Sequence, residues 1–132
     1  MIGEYVSKNC EANKPCKIQI KDATNFSWDK LYVFDRAVES DVISELLGIK
    51  YSSTSPYYSR KWFFVKDNQI VQTEEHILYE IDKSVDNGDV LIEEANPKEK
   101  YSIFTEDSLF EVSKNKLNAD EHYFYLTCLN CD

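Results

Sequence analysis

The four cysteines lie in two pairs at the two ends of the 132-residue chain, and this placement constrains the fold more than any other feature. Cys10 and Cys16 stand near the start, and Cys128 and Cys131 stand near the end. An even number of cysteines predicts disulfides, although the sequence leaves all three connectivities open. A bridge between the ends would stabilise the fold by about 4–5 kcal/mol through loop closure, whereas two local bridges would contribute less.

Two other uses of the cysteines compete with structural disulfides. Cys128 and Cys131 have the C-x-x-C spacing of a redox-active pair, but such a pair needs a thiolate at a helix N-terminus, and only Asp132 follows. A four-cysteine zinc site is also open, although the spacing between Cys10 and Cys16 is wider than zinc ligands usually have. A thiol- or zinc-dependent protein that uses the C-terminal pair is therefore the alternative function. Four free cytosolic thiols are the remaining alternative. Disulfides are favoured over all of these, and they predict a periplasmic or cell-surface location.

The composition is that of one acidic domain spanning residues 1–132. Hydrophobic residues make up 42% of the chain, which is enough for a packed core. The formal net charge of -9 argues against a nucleic-acid partner and is compatible with a basic protein partner. The sequence has no apolar run of about 18 residues, so no transmembrane segment is predicted. The first ten residues lack the apolar stretch of a signal peptide, which fits a mature exported domain whose signal has been removed and fits an ordinary cytosolic protein equally well. The cysteines decide between the two.

Hydrophobic periodicity predicts an α+β fold, mainly an antiparallel sheet with one short core-facing helix packed on it. Residues 1–15 are predicted to be an irregular lead-in. The helix is expected over about 40–47, with Ser40 as its N-cap and Gly48 as its stop. Asp67 and Asn68 form the turn signal of a hairpin. The predicted strands cover 17–21, 31–34, 62–65, 69–72, 77–81, 90–93, 101–104, 109–112 and 122–127.

One segment resembles a family of small bacterial exported proteins and lipoproteins. Residues 24–34 match a pattern of the form T-x-F-x-W-D-K-x-Y-V-F, with Trp28, Asp29 and Lys30 at its centre. A helix ending in Leu-Gly and a hairpin with an F-V-K core follow in that family, similar to Leu47-Gly48 and Phe64-Val65-Lys66 here. The resemblance implies export and an α+β fold. It carries no activity, catalytic residue or cofactor to transfer.

Three groups with chemical potential are better explained as structure. Phe26 and Trp28 are expected to plug the core. Residues 82–93 partly imitate a calcium-binding loop, but a hairpin turn explains them with fewer assumptions. His76 and His122 show no metal or proton-relay spacing. The sequence therefore predicts no catalytic residue, no metal site and no cofactor.

A tyrosine-rich loop is the predicted interaction site. It contains Tyr51, Tyr57 and Tyr58 and ends at Trp62, and aromatic side chains of this kind recur at recognition surfaces because they lose little entropy on binding. Packing of the same rings onto the sheet is an equally weighted alternative. The favoured function is a non-enzymatic exported protein-binding module, of the inhibitor or immunity type.

Overall fold

The computed structural model describes residues 2–11, 14–34, 38–52, 60–76, 90–92, 101–116 and 122–131. These residues form two α-helices, one short 3₁₀ helix and eight strands. The helices are α1 (Ile2–Asn9), the 3₁₀ helix (Ile20–Ala23) and α2 (Ser40–Leu47). The strands are β1 (Lys17–Gln19), β2 (Lys30–Phe34), β3 (Arg60–Lys66), β4 (Gln69–His76), β5 (Val90–Ile92), β6 (Ser102–Thr105), β7 (Leu109–Lys116) and β8 (His122–Cys128).

The strands form two four-stranded sheets. We call the sheet with the order β4-β3-β2-β6 the central sheet, and the sheet with the order β1-β7-β8-β5 the terminal sheet, because the latter contains strands from both ends of the chain. The central sheet is antiparallel throughout. In the terminal sheet β7 is antiparallel to both its neighbours, whereas β5 runs parallel to β8. The predicted α+β fold dominated by antiparallel sheet is confirmed, but the strands divide between two sheets.

The two middle strands of the central sheet, β2 and β3, are covered on both faces, which explains their unbroken apolar runs. Its inner face meets the terminal sheet and α1 in a cluster that we call the inner core. Its other face packs against α2 in a smaller cluster, the outer core, built from Phe34, Val38, Ile43, Phe63 and Val65. Because neighbouring residues of a strand point to opposite faces, a strand covered on both sides needs apolar residues at consecutive positions.

The predicted bounds of the helix and the hairpin are confirmed. Helix α2 covers Ser40–Leu47 and ends at Gly48, whose φ of 71° is left-handed. The prediction of Ser40 as the N-cap is wrong, because Ser40 already lies in the helix and Glu39 holds the N-cap position without a side-chain hydrogen bond. The Gly48 amide donates to the Ser44 carbonyl oxygen at 3.0 Å, which is a common way for a helix to end. The β3–β4 turn places Asp67 and Asn68 at φ values of 50° and 62°. Positive φ at both central residues identifies the tight turn that the sequence predicted.

The prediction of an irregular lead-in over 1–15 is wrong for Ile2–Asn9, which form α1. Ile2 and Val6 are fully buried in the inner core, so the helix is held by its packing on the sheets. The strand predicted over 17–21 is shorter, because the chain turns into the 3₁₀ helix at Ile20. The strand predicted over 77–81 and most of the calcium-like segment over 82–93 lie outside the described residues.

The expected aromatic plug is present. Trp28 is 3% exposed, and its indole nitrogen donates to the Thr24 hydroxyl at 3.0 Å. The rings of Phe26 and Trp28 both meet Phe64 edge-on, with centroids 5.2 Å away in each case. The segment before β2 therefore closes one end of the inner core.

Candidate functional site

Tyrosines gather on the outer face of the central sheet, beside α2. In the β2–β6 register Tyr32 lies opposite Ile103, so both side chains point to this face. The ring of Tyr101 stacks on Tyr32 at 6.1 Å and on Phe34 at 5.6 Å. Phe34 is fully buried, whereas Tyr32 and Tyr101 are half-buried. The three rings thus form a stacked column that runs from the outer core to the surface.

Tyr51 joins the same face through a hydrogen-bonded link to α2. The Ser44 hydroxyl oxygen accepts from the Tyr51 amide at 2.7 Å, and it lies within donating distance of the Tyr51 carbonyl (2.8 Å) and the Ser40 carbonyl (2.9 Å). The Tyr51 ring meets Phe63 edge-on at 4.7 Å. One helical serine therefore holds the first tyrosine of the predicted loop against the outer core. We call Tyr32, Tyr51, Tyr101 and Ile103 the tyrosine face.

The tyrosine face exposes apolar surface at a sheet edge. Ile103 is 44% exposed, although it lies in β6 beside fully or partly buried rings. Tyrosine combines a large apolar ring with a polar tip, and an isoleucine beside it adds apolar area that becomes buried when a partner docks. The arrangement suits contact with another protein.

The surroundings of the tyrosine face are acidic along α2. Glu39, Asp41 and Glu45 are exposed, and the last turn of the helix contains no basic residue. Lys30 is also exposed on the same sheet face, two residues before Tyr32 in β2. The residues around the tyrosine face therefore carry charges of both signs. The long-range electrostatic field is negative, because acidic residues are in excess over the whole chain.

The structure places the predicted interaction residues in different environments. Tyr51 lies half-buried on the tyrosine face, and Trp62 is fully buried in the inner core, where it cannot touch a partner. Tyr57 and Tyr58 lie outside the described residues. Sequence reasoning missed Tyr32, Tyr101 and Ile103. The signal for Tyr32 was its place in β2, where it alternates with the inward-pointing Leu31 and Val33.

The cysteines form two local disulfides, Cys10–Cys16 and Cys128–Cys131, with Cα atoms 5.5 and 5.7 Å apart. The connectivity that the sequence left open is thus a separate bridge at each end. All four cysteines are partly buried and pack against the inner core. A zinc site of four thiolates would require both bridges to be reduced.

The remaining sites considered from sequence receive no further support. His76 ends β4 of the central sheet, and His122 begins β8 of the terminal sheet. Within the described residues no group of three or more side chains could hold a metal ion. In the same part of the chain no helix combines the length and apolar character needed to cross a membrane.

Comparisons with protein-family models, with curated proteins and with solved structures find no match for this chain. The resemblance of residues 24–34 to a bacterial exported family therefore stays a prediction. Any function must be argued from the chain itself.

Proposed function

We propose that this protein is a non-enzymatic, extracytoplasmic binding module that docks a basic protein through its tyrosine face. The observation that carries the proposal is the stacked column of Tyr32, Tyr101 and Phe34 beside the 44% exposed Ile103. A rigid, partly exposed group of rings supplies contact area with little loss of side-chain entropy on binding.

The charge supports a basic partner. The chain carries a net charge of -9, and α2, which flanks the tyrosine face, exposes Asp41 and Glu45. Opposite charges on two proteins accelerate their encounter and exclude wrong partners of like charge. The two disulfides support the extracytoplasmic part of the proposal, because such bridges persist mainly in oxidising compartments.

Two matched substitutions test the docking face. Ile103→Thr removes an exposed apolar side chain from the tyrosine face, and Val71→Thr removes one of equal exposure (43%) from β4, at the opposite edge of the same sheet. Both variants keep a β-branched residue in the strand. Each protein is immobilised and exposed to an extracytoplasmic extract of the cells that produce it, and retained proteins are identified by mass spectrometry.

We expect a basic protein that the wild type and Val71→Thr retain and that Ile103→Thr binds about tenfold more weakly, equivalent to about 1.4 kcal/mol. Neutralising Asp41 and Glu45 to Asn and Gln should slow association at low salt, and Glu4→Gln on α1 is the control for charge alone. Equal losses for Ile103→Thr and Val71→Thr, or a partner without basic character, would contradict the proposal.

A further inference from the structure

The C-terminal disulfide lies on the turn that carries the chain from one sheet to the other. This turn, Thr105–Leu109, leaves β6 of the central sheet and begins β7 of the terminal sheet. The Asn130 side chain accepts from the Leu109 amide at 2.8 Å and donates to the Asp107 carbonyl at 3.0 Å. The Leu129 amide donates to the Leu109 carbonyl at 2.7 Å. The short loop between the two cysteines is therefore hydrogen-bonded directly to the turn that joins the two sheets.

One sulfur atom of this bridge lies near a hydrogen-bond donor, and the other lies near an acceptor. Cys131 Sγ lies 3.8 Å from the hydroxyl of Ser108, a residue only 6% exposed. That hydroxyl accepts from the Thr105 amide, and the Thr105 hydroxyl at 3.5 Å can donate to the same oxygen. When the Thr105 hydroxyl donates, the hydrogen of Ser108 is free to point to the sulfur, and only Ser108 can donate in this contact because a disulfide sulfur has no hydrogen.

Cys128 Sγ instead faces an acceptor, since it lies 3.5 Å from Asn130 Oδ1. The oxygen assignment follows from the Leu109 amide, which can only donate. A thiolate is stabilised by a donor and destabilised by an acceptor. In thiol–disulfide exchange the sulfur that becomes the more stable thiolate leaves faster, so the geometry selects Cys131 as the leaving group.

The N-terminal bridge lacks this asymmetry in its described contacts. Cys16 Sγ lies 3.9 Å from the carbonyl oxygen of Asn9, which has no hydrogen to donate. The same chain therefore provides an internal control, with two short-loop disulfides of which one has a buried hydroxyl beside a sulfur atom.

We propose that Cys128–Cys131 is a selective thiol-exchange site for low-molecular-weight thiols, and that the thiol becomes attached to Cys128. The incoming thiolate attacks Cys128 Sγ and forms a new S–S bond, the original S–S bond breaks, and Cys131 leaves with the electron pair as a thiolate. Cys131 then accepts a hydrogen bond from Ser108. A second thiolate can attack the mixed disulfide, which gives the Cys128 thiolate and the oxidised thiol. The inference does not depend on the proposed docking function.

The test uses the intact, oxidised protein and glutathione as the probe. The reaction is quenched with acid, free thiols are alkylated, and peptide mass spectrometry locates the adduct. We expect one glutathione on Cys128 and an alkyl group on Cys131 while Cys10–Cys16 is still intact. Deuterium uptake at the Leu109 amide should rise in the adduct, because Asn130 is released. Glutathione on Cys131, or opening of Cys10–Cys16 at an equal rate, would overturn the assignment.

Variants test the role of the hydroxyl. Ser108→Ala should slow adduct formation about fivefold, the effect of losing one hydrogen bond. Ser108→Thr should restore the rate, and Ser113→Ala, at an exposed position in the strand β7 that follows the turn, should not change it. An unchanged rate in a folded Ser108→Ala protein would show that the hydroxyl plays no part. If that variant fails to fold, the position of the adduct in the wild type still decides the proposal.

Discussion

The inner and outer cores share the central sheet but differ in how they are built. The inner core draws side chains from both sheets, from both helical segments of the N-terminal region and from strands near both ends of the chain. The outer core uses mainly β2, α2 and β3, which follow one another in the sequence, and it is bordered by half-buried tyrosines. We infer a division between the two cores, in which the inner core supplies most of the stability of the fold and the outer core holds the tyrosine face in place.

Adjacent phenylalanines of β3 test this division most strongly. Phe64 points into the inner core and Phe63 into the outer core, and both are fully buried. We expect Phe64→Ala to lower the free energy of unfolding by about 4 kcal/mol, because a cavity opens inside the larger cluster, beside the buried Trp28. Phe63→Ala should lower it by about 3 kcal/mol, since the half-buried Tyr51 ring beside it can move toward the space. Urea denaturation followed by circular dichroism measures both, and a larger loss for Phe63→Ala would contradict the comparison.

Ser44 is the second test, because it joins α2 to Tyr51. Ser44→Ala should lower the free energy of unfolding by about 1–2 kcal/mol, since polar atoms of the Tyr51 backbone lose their partner. It should also weaken partner binding, because Tyr51 loses its fixed position. Ser52→Ala, at an exposed neighbouring residue, is the matched control. Normal binding by Ser44→Ala would remove Tyr51 from the proposed docking face.

Gly48 allows the outer core to be perturbed without changing any side-chain contact. A Cβ atom added at Gly48 would meet nothing within 4 Å, so the cost of Gly48→Ala comes from its φ of 71° alone. A left-handed alanine costs about 1 kcal/mol, which should lower the thermal midpoint by about 4 °C. Scanning calorimetry measures this shift. A much larger loss would mean that α2 is coupled to the inner core more tightly than its packing suggests.

A substitution in the β3–β4 turn should give the smallest change in the free energy of unfolding, and this change should be an increase. Asn68 has a φ of 62° and follows Asp67 in a turn for which Asp-Gly is a preferred pair. Asn68→Gly should raise the free energy of unfolding by about 0.5 kcal/mol, because glycine adopts this conformation without strain. Since Asn68 is not part of the tyrosine face, binding should stay unchanged. Destabilisation in urea would contradict the assigned turn geometry.

Local signals in the sequence were sufficient for α2 and for the β3–β4 hairpin. Gly48 ends the helix and Asp67-Asn68 makes the turn through their own backbone preferences, which need no distant partner. Helix α1 was missed because eight residues without a strong cap form a helix only when tertiary packing holds them. The spacing of Ile2, Tyr5 and Val6 was the available signal.

Strand pairing and the site were harder to predict, because both depend on contacts between segments that are distant in the sequence. The strand pattern shows where strands begin, but the division into two sheets and the parallel β5–β8 pair depend on contacts between distant segments. The tyrosine face likewise depends on register, since Tyr32 and Ile103 become neighbours only when β2 pairs with β6. The loop sequence around Tyr51 identified one member of this face and could not identify the others.

The pairing of β1 with β7 has a consequence for the order of folding. Lys17 lies opposite Glu111, and β7 is itself held by β8, so the terminal sheet closes only after β8 has been synthesised. Contacts so distant in sequence make folding slow, because a long loop must close before they form. The early segments α1 and β1 consequently remain without their native partners while most of the chain is made. The segments of the terminal sheet therefore stay open to chaperones and proteases until β8 has been made.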